Sequence, residues 1–145
     1  MKFADEHELQ AAITYWLQSQ GHNVQREVHC GGGRVDILTD EHLIEVKPYL
    51  TRDAQFQALG QLQTYDNEYP DHQKVIAGLL PTNNKPALST ANRIEGEGVH
   101  VWFMDQDADF VQFCDRGAVK AHQRVPQWQV FAGVACIVVG LILLF

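Results

Sequence analysis

Asp36, Glu45 and Lys47 stand in two short segments, VDIL and LIEVK, whose neighbours are otherwise built for burial. In an extended strand side chains alternate between faces, so Glu45 and Lys47 share one face while Ile44 and Val46 share the other. A tight turn at Asp40-Glu41 folds the two segments together and brings Asp36 into reach of Glu45. Burying such a trio costs several kcal/mol per ion unless the charges are paired or bind a metal. Two carboxylates, supplemented by a main-chain carbonyl such as that of Val46, make a hard ligand set suited to Mg²⁺ or Mn²⁺. A lysine beside them can orient a water and stabilise charge developing on a phosphate under attack. The bland alternative is a solvated strand face with a plain salt bridge, worth ~0–1 kcal/mol.

The elements that must position these residues are legible from spacing. Leu9, Ala12, Ile13, Trp16 and Leu17 recur at helical intervals over residues 5–20, with Asp5 able to cap the start and Gly21 to stop the run. HNVQREVHC alternates as a strand, and Gly31 to Gly33 turn it into RVDILTD, then HLIEVK. The glycine run leads into a strand and no G-K-[ST] follows, so it reads as a hairpin turn and not a phosphate cradle. Pro48 is expected to end the third strand. Ala54, Ala58, Leu62 and Tyr65 then mark a helix within 51–69, with Thr51 or Asp53 as cap, and QKVIAGLL suits a strand buried on both faces. A short helix is expected around 86–94, followed by a strand pair formed by VHVWFMD and DFVQFCD. The predicted core is thus an αβββαβ unit with a mixed central sheet.

The pattern D-x8-E-x-K on the second and third strands of such a unit resembles the signature of the PD-(D/E)xK nuclease superfamily. Two flanking features are similar to the same superfamily. Glu8, in preference to Glu6, stands where several branches, including archaeal Holliday-junction resolvases, carry a helix-borne acid that supports the metal. Gln61 and Tyr65 in QLQTY fit the Q-x-x-x-Y motif of nuclease domains in bacterial recombination helicase-nucleases, and at four residues apart they share a helix face. Val35 stands where the family name has proline. The resemblance covers residues 5 to 80 and implies a restriction-endonuclease-like fold cleaving DNA with Mg²⁺ or Mn²⁺. Asp36 and Glu45 would bind the metal with support from Glu8, and Lys47 would position the attacking water. Gln61 would hold Lys47 or a nucleotide, and Tyr65 would support the helix face. Arg34 and Arg52 flank this site as candidate phosphate contacts. Two alternatives stay open: a catalytically silent membrane-tethered binding or assembly module of the same fold, and a defence or mobile-element component armed by a partner or at the membrane. The partners expected are DNA, the membrane, and a second copy in a homodimer or another protein.

Eighteen acids against eleven bases leave a formal charge of −7, which excludes nucleic-acid binding by overall positive potential. A polyanion must be met locally or through bound cations. Cys30, Cys114 and Cys136 form no C-x-x-C pair and read as buried thiols in a reducing compartment. The seven histidines form no H-x-x-x-H pair, and their pattern assigns none of them to a metal.

The stretch from Trp128 to Phe145 carries no charged side chain and would span about 27 Å as a helix, close to a bilayer's hydrocarbon core. Arg116, Lys120 and Arg124 lie just upstream, which predicts a cytoplasmic domain. The expected organisation is a nuclease-like domain over 1–115, a basic juxtamembrane linker over 116–126 and a C-terminal transmembrane anchor over 127–145. On that reading the full chain sediments with membranes and resists high-salt extraction; release by salt alone would rule out a spanning helix.

Overall fold

The computed structural model describes residues 1–117. The expected anchor, and the linker beyond residue 117, lie outside them. Among the described residues no helix is long and apolar enough to cross a membrane.

The chain runs α1 (Glu6–Ser19), β1 (Val24–Cys30), β2 (Gly33–Thr39), β3 (His42–Tyr49), α2 (Arg52–Thr64), β4 (Gln73–Leu79), α3 (Asn84–Glu95) and β5 (His100–Phe103). A 3-10 turn (Met104–Gln106) then leads into α4 (Ala108–Asp115). The five strands form one mixed sheet in sequential order. β1, β2 and β3 are antiparallel through tight turns, whereas β3, β4 and β5 are parallel, each crossover carried by a helix.

Two apolar layers sandwich the sheet. Leu9, Ile13, Trp16 and Leu17 of α1 pack on Ile37, Ile44, Val46 and Val75 on one side. Ala58 and Leu62 of α2 and Ile94 of α3 pack on Leu43, Ile76 and Val101 on the other. β3 and β4 contribute to both layers, which explains why the VIAGL of β4 reads as an unbroken apolar run.

Two expectations are corrected. DFVQFCD is a helix, not a strand. Asp107 caps it by accepting from the Phe110 N–H at 2.9 Å, and Phe110 is fully buried against the Trp16 ring, 5.6 Å between centroids. β5 therefore has no hairpin partner after it and pairs in parallel with β4. β3 also runs through Pro48 to Tyr49. The β3–β4 register shifts between Lys47 and Tyr49, and at that irregularity the missing proline N–H costs no ladder bond.

Gly78 sets how closely β4 can approach β3. It lies opposite Lys47 in the ladder, and a Cβ there would collide with the Lys47 carbonyl oxygen and the Leu50 side chain. Only glycine lets β4 press this tightly on the strand that carries Glu45 and Lys47.

Candidate active site

The β2–β3 ladder pairs Ile37 with Ile44 and Leu38 with Leu43, and there it stops. The next two residues along are Asp36 and Glu45. Asp36 turns its carboxylate into the gap, and Oδ2 accepts the Val46 N–H at 2.8 Å. A side chain thus takes the place of a main-chain acceptor, and the strands part around two acids. The structure brings Asp36 and Glu45 together as their strand positions require.

Glu45 is 1% exposed, and its Oε1 has no hydrogen-bond partner. Burial, reinforced by the Asp36 charge, pushes its carboxyl up to about 8. Burial raises the Asp36 carboxyl as well, opposed by the Val46 N–H bond and by Lys47. Lys47 is half-buried two residues beyond Glu45, and among the described residues no carboxylate lies within ion-pair distance of its ammonium. It acts on the acids through space, lowering the carboxyls of Asp36, Glu45 and Glu6.

The acid that α1 turns toward this cluster is Glu6. Burial raises its carboxyl, and Lys47, Asp36 and Glu27 all act on it. Glu8 is engaged at the helix start instead. Its carboxylate accepts from the Ala4 N–H while its own N–H donates to Asp5 Oδ1 at 2.9 Å, close to a capping box. Helical geometry explains the difference, because Gln10, four residues after Glu6, points the same way. Gln10 is buried and its Nε2 donates to the Asp36 carbonyl at 2.7 Å and to Glu27 Oε1 at 3.0 Å.

Glu27 is a site residue that pattern reading missed. It lies across from Asp36, where the β1–β2 ladder skips one pair, and holds φ at +55°, a conformation uncommon for a residue with a side chain. Besides Gln10, it holds Arg34, whose Nε lies 2.7 Å from Oε2. The available signal is an acid inside a strand next to Arg26, which alternation alone does not set apart from its polar neighbours.

Tyr65 caps the end of α2 and is 2% exposed. Its hydroxyl donates to the Arg34 carbonyl at 2.9 Å, and burial beside Glu45 pushes it up to about 12. Gly33 makes room for the ring, since a Cβ there would sit 2.9 Å from Tyr65 Cε1. Gln61, one turn earlier, lines a groove of about 450 Å³ with Tyr65, Arg34 and the glycine turn, and its buried Oε1 has no hydrogen-bond partner. Arg52 is not gathered into this groove; its guanidinium stacks over Phe56, 5.7 Å from the ring centroid.

The side chains fit a hard divalent cation. Glu45 Oε1 is a buried acceptor without a donor, Asp36 supplies a second carboxylate, and burial holds both above their usual range although Lys47 pulls them down. Glu6 stands further off. Among the described residues it does not join them in a group whose ligand atoms all fall within 4.8 Å of one another. Two carboxylates with the remaining positions open is the arrangement Mg²⁺ commonly takes beside a phosphate. No family model, curated protein or solved structure matches the chain.

The raised carboxyl has a consequence for stability. Glu45 has an ordinary value of 4.5, so between that pH and about 8 the folded chain holds a proton that the unfolded chain has released. The Glu45 contribution to cation-free stability is therefore fullest below pH 4.5 and falls as pH rises toward 8, and Asp36 adds to the same trend. Glu45→Gln removes the titration and leaves an amide that can donate to Asp36. In urea unfolding with EDTA, the variant is expected to be about 1–3 kcal/mol more stable than the parent at pH 9, the gap closing near pH 4. A gap that does not change with pH would show that Glu45 ionises normally.

Proposed function

We propose that the chain is a divalent-cation-dependent nuclease of restriction-endonuclease-like fold that hydrolyses DNA phosphodiester bonds. The observation that carries this reading is the buried, unpartnered Glu45 Oε1 beside the Asp36 carboxylate, with an unpaired lysine two residues on. A static salt-bridged strand face would pair Lys47 with one of these acids, and it is not so paired. The order α1 β1 β2 β3 α2 β4 and its mixed sheet are compatible with the fold that the D-x8-E-x-K pattern implies.

Asp36 and Glu45 would hold Mg²⁺ or Mn²⁺, which supplies Lewis acidity and a water of lowered pKa when bound. Glu6 takes over the supporting position that the sequence assigned to Glu8. Lys47, backed by Gly78 through the tight β3–β4 approach, holds the attacking water and steadies the negative charge that grows on the phosphate oxygens. Arg34 reaches the groove with its guanidinium shared with Glu27, placed to grip a neighbouring phosphate. Gln61 offers an amide to the nucleotide or to Lys47. Tyr65 is a positioning residue: it fixes the β2 backbone at Arg34 and closes the wall behind Glu45. Arg52 contributes at most a contact outside the groove. Local positive charge at Lys47, Arg34 and the cation lets an acidic chain meet a polyanion at one place. In this proposal the 127–145 tail ties the domain to the cytoplasmic face of a membrane.

The test uses the full chain in detergent micelles with supercoiled, linear and branched DNA. Cleavage is expected with Mg²⁺ or Mn²⁺, is abolished by EDTA, and falls about 100-fold or more in Asp36→Asn and in Lys47→Ala. Failure to cut any of the three substrates would leave the same fold as a binding or assembly module, and cutting undiminished in both variants would overturn the assignment of catalysis to Asp36 and Lys47.

A further inference from the structure

A second group of ligand-type side chains gathers at the other end of β3. His22 in the α1–β1 loop, Glu41 in the β2–β3 turn and His42 at the start of β3 offer one ligand atom each, all within 4.8 Å of one another. Among the described residues this is the group of three histidine, cysteine or acidic side chains so arranged. It is invisible as a motif because its histidines are twenty positions apart and only the meander returns the chain to α1.

We propose that His22, Glu41 and His42 form a zinc-type transition-metal site that clips the end of α1 to the β2–β3 turn. Two imidazoles and one carboxylate are the donor set that Zn²⁺ takes and Mg²⁺ does not. The rings are already held in place. His22 Nδ1 lies 3.1 Å from Asp40 Oδ1, the carboxylate–histidine contact that orients metal-bound imidazoles. His42 Nδ1 lies 3.2 Å from Thr39 Oγ1, and its ring packs edge-on against Trp102, 5.3 Å between centroids.

Donor atoms around tetrahedral zinc stand roughly 3.4 Å apart, given bonds of about 2.1 Å. The present spacing must therefore tighten, and Glu41, the exposed member, is free to do so. Three protein ligands leave a fourth position for water or for a group from outside the chain. The cation is distinct from the one proposed at Glu45. His42 and Glu45 are three residues apart on one strand, so they face opposite sides of the sheet about 10 Å apart.

The experiment takes the full chain carrying Glu45→Gln, so that the carboxylate pair cannot contribute, and titrates Zn²⁺ by calorimetry and Co²⁺ by visible absorption. One Zn²⁺ per chain is expected, with a Co²⁺ band of tetrahedral type and no displacement by millimolar Mg²⁺. His22→Ala and Glu41→Gln, both outside the core, are each expected to weaken zinc binding roughly tenfold or more, and to abolish the rise in Tm that zinc gives the parent. Absence of zinc binding, or binding unchanged in both variants, would overturn the site.

Discussion

The structure turns on a place where two strands decline to pair. From Ile37 and Ile44 onward the β2–β3 ladder gives way, and the Asp36 carboxylate accepts the Val46 N–H that a main chain would otherwise have taken. The neighbouring residue at that gap is Glu45, buried under α2 with one oxygen unanswered. Everything nearby defends the opening. Gln10 of α1 ties β1 to β2, Glu27 adopts a strained backbone to reach Gln10 and Arg34, Tyr65 pins β2 from the far side, and Gly78 lets β4 approach. A folded chain maintains a buried carboxylate beside a half-buried one only at a cost in stability. That cost is understandable where a cation is to be received, and it is the physical content of the nuclease reading.

Much of this was legible in the residues. The apolar spacing of α1 and α2, the glycine hairpin, and the alternation around Glu45 and Lys47 each had one reading because local preference and burial agree there. The convergence of Asp36 with Glu45 followed from strand geometry alone. DFVQFCD was misread because Phe110 and Phe113 suit a strand as well as a helix over so short a run. The Asp107 cap and the burial of Phe110 against Trp16 decided it.

The site residues that escaped were those whose role depends on direction or on distant parts of the chain. Glu6 and Glu8 are equivalent in composition, but the helix phase shared with Gln10 turns Glu6 to the sheet, while Glu8 closes the helix start. Glu27 is placed by a departure from regular β1 geometry that no alternation pattern records. His22 and His42 meet only because the meander carries β3 back to the end of α1. β3 emerges as the common support, bearing Glu45 of the carboxylate pair near its middle and the His42 imidazole at its start, on opposite faces. A single strand thus couples two chemically different clusters, one of hard oxygen donors and one with two ring nitrogens.

The central claim is that Glu45 is held for a cation, and its ionisation is the most direct witness. A ¹³C NMR titration of the Glu45 side-chain carboxyl, in the full chain with EDTA or with saturating Mg²⁺, reads it without reference to any substrate. The expected midpoint lies near pH 8 in EDTA, brought to roughly pH 6 or below by Mg²⁺. A midpoint near 4.5 in EDTA, or one that Mg²⁺ does not move, would contradict the claim.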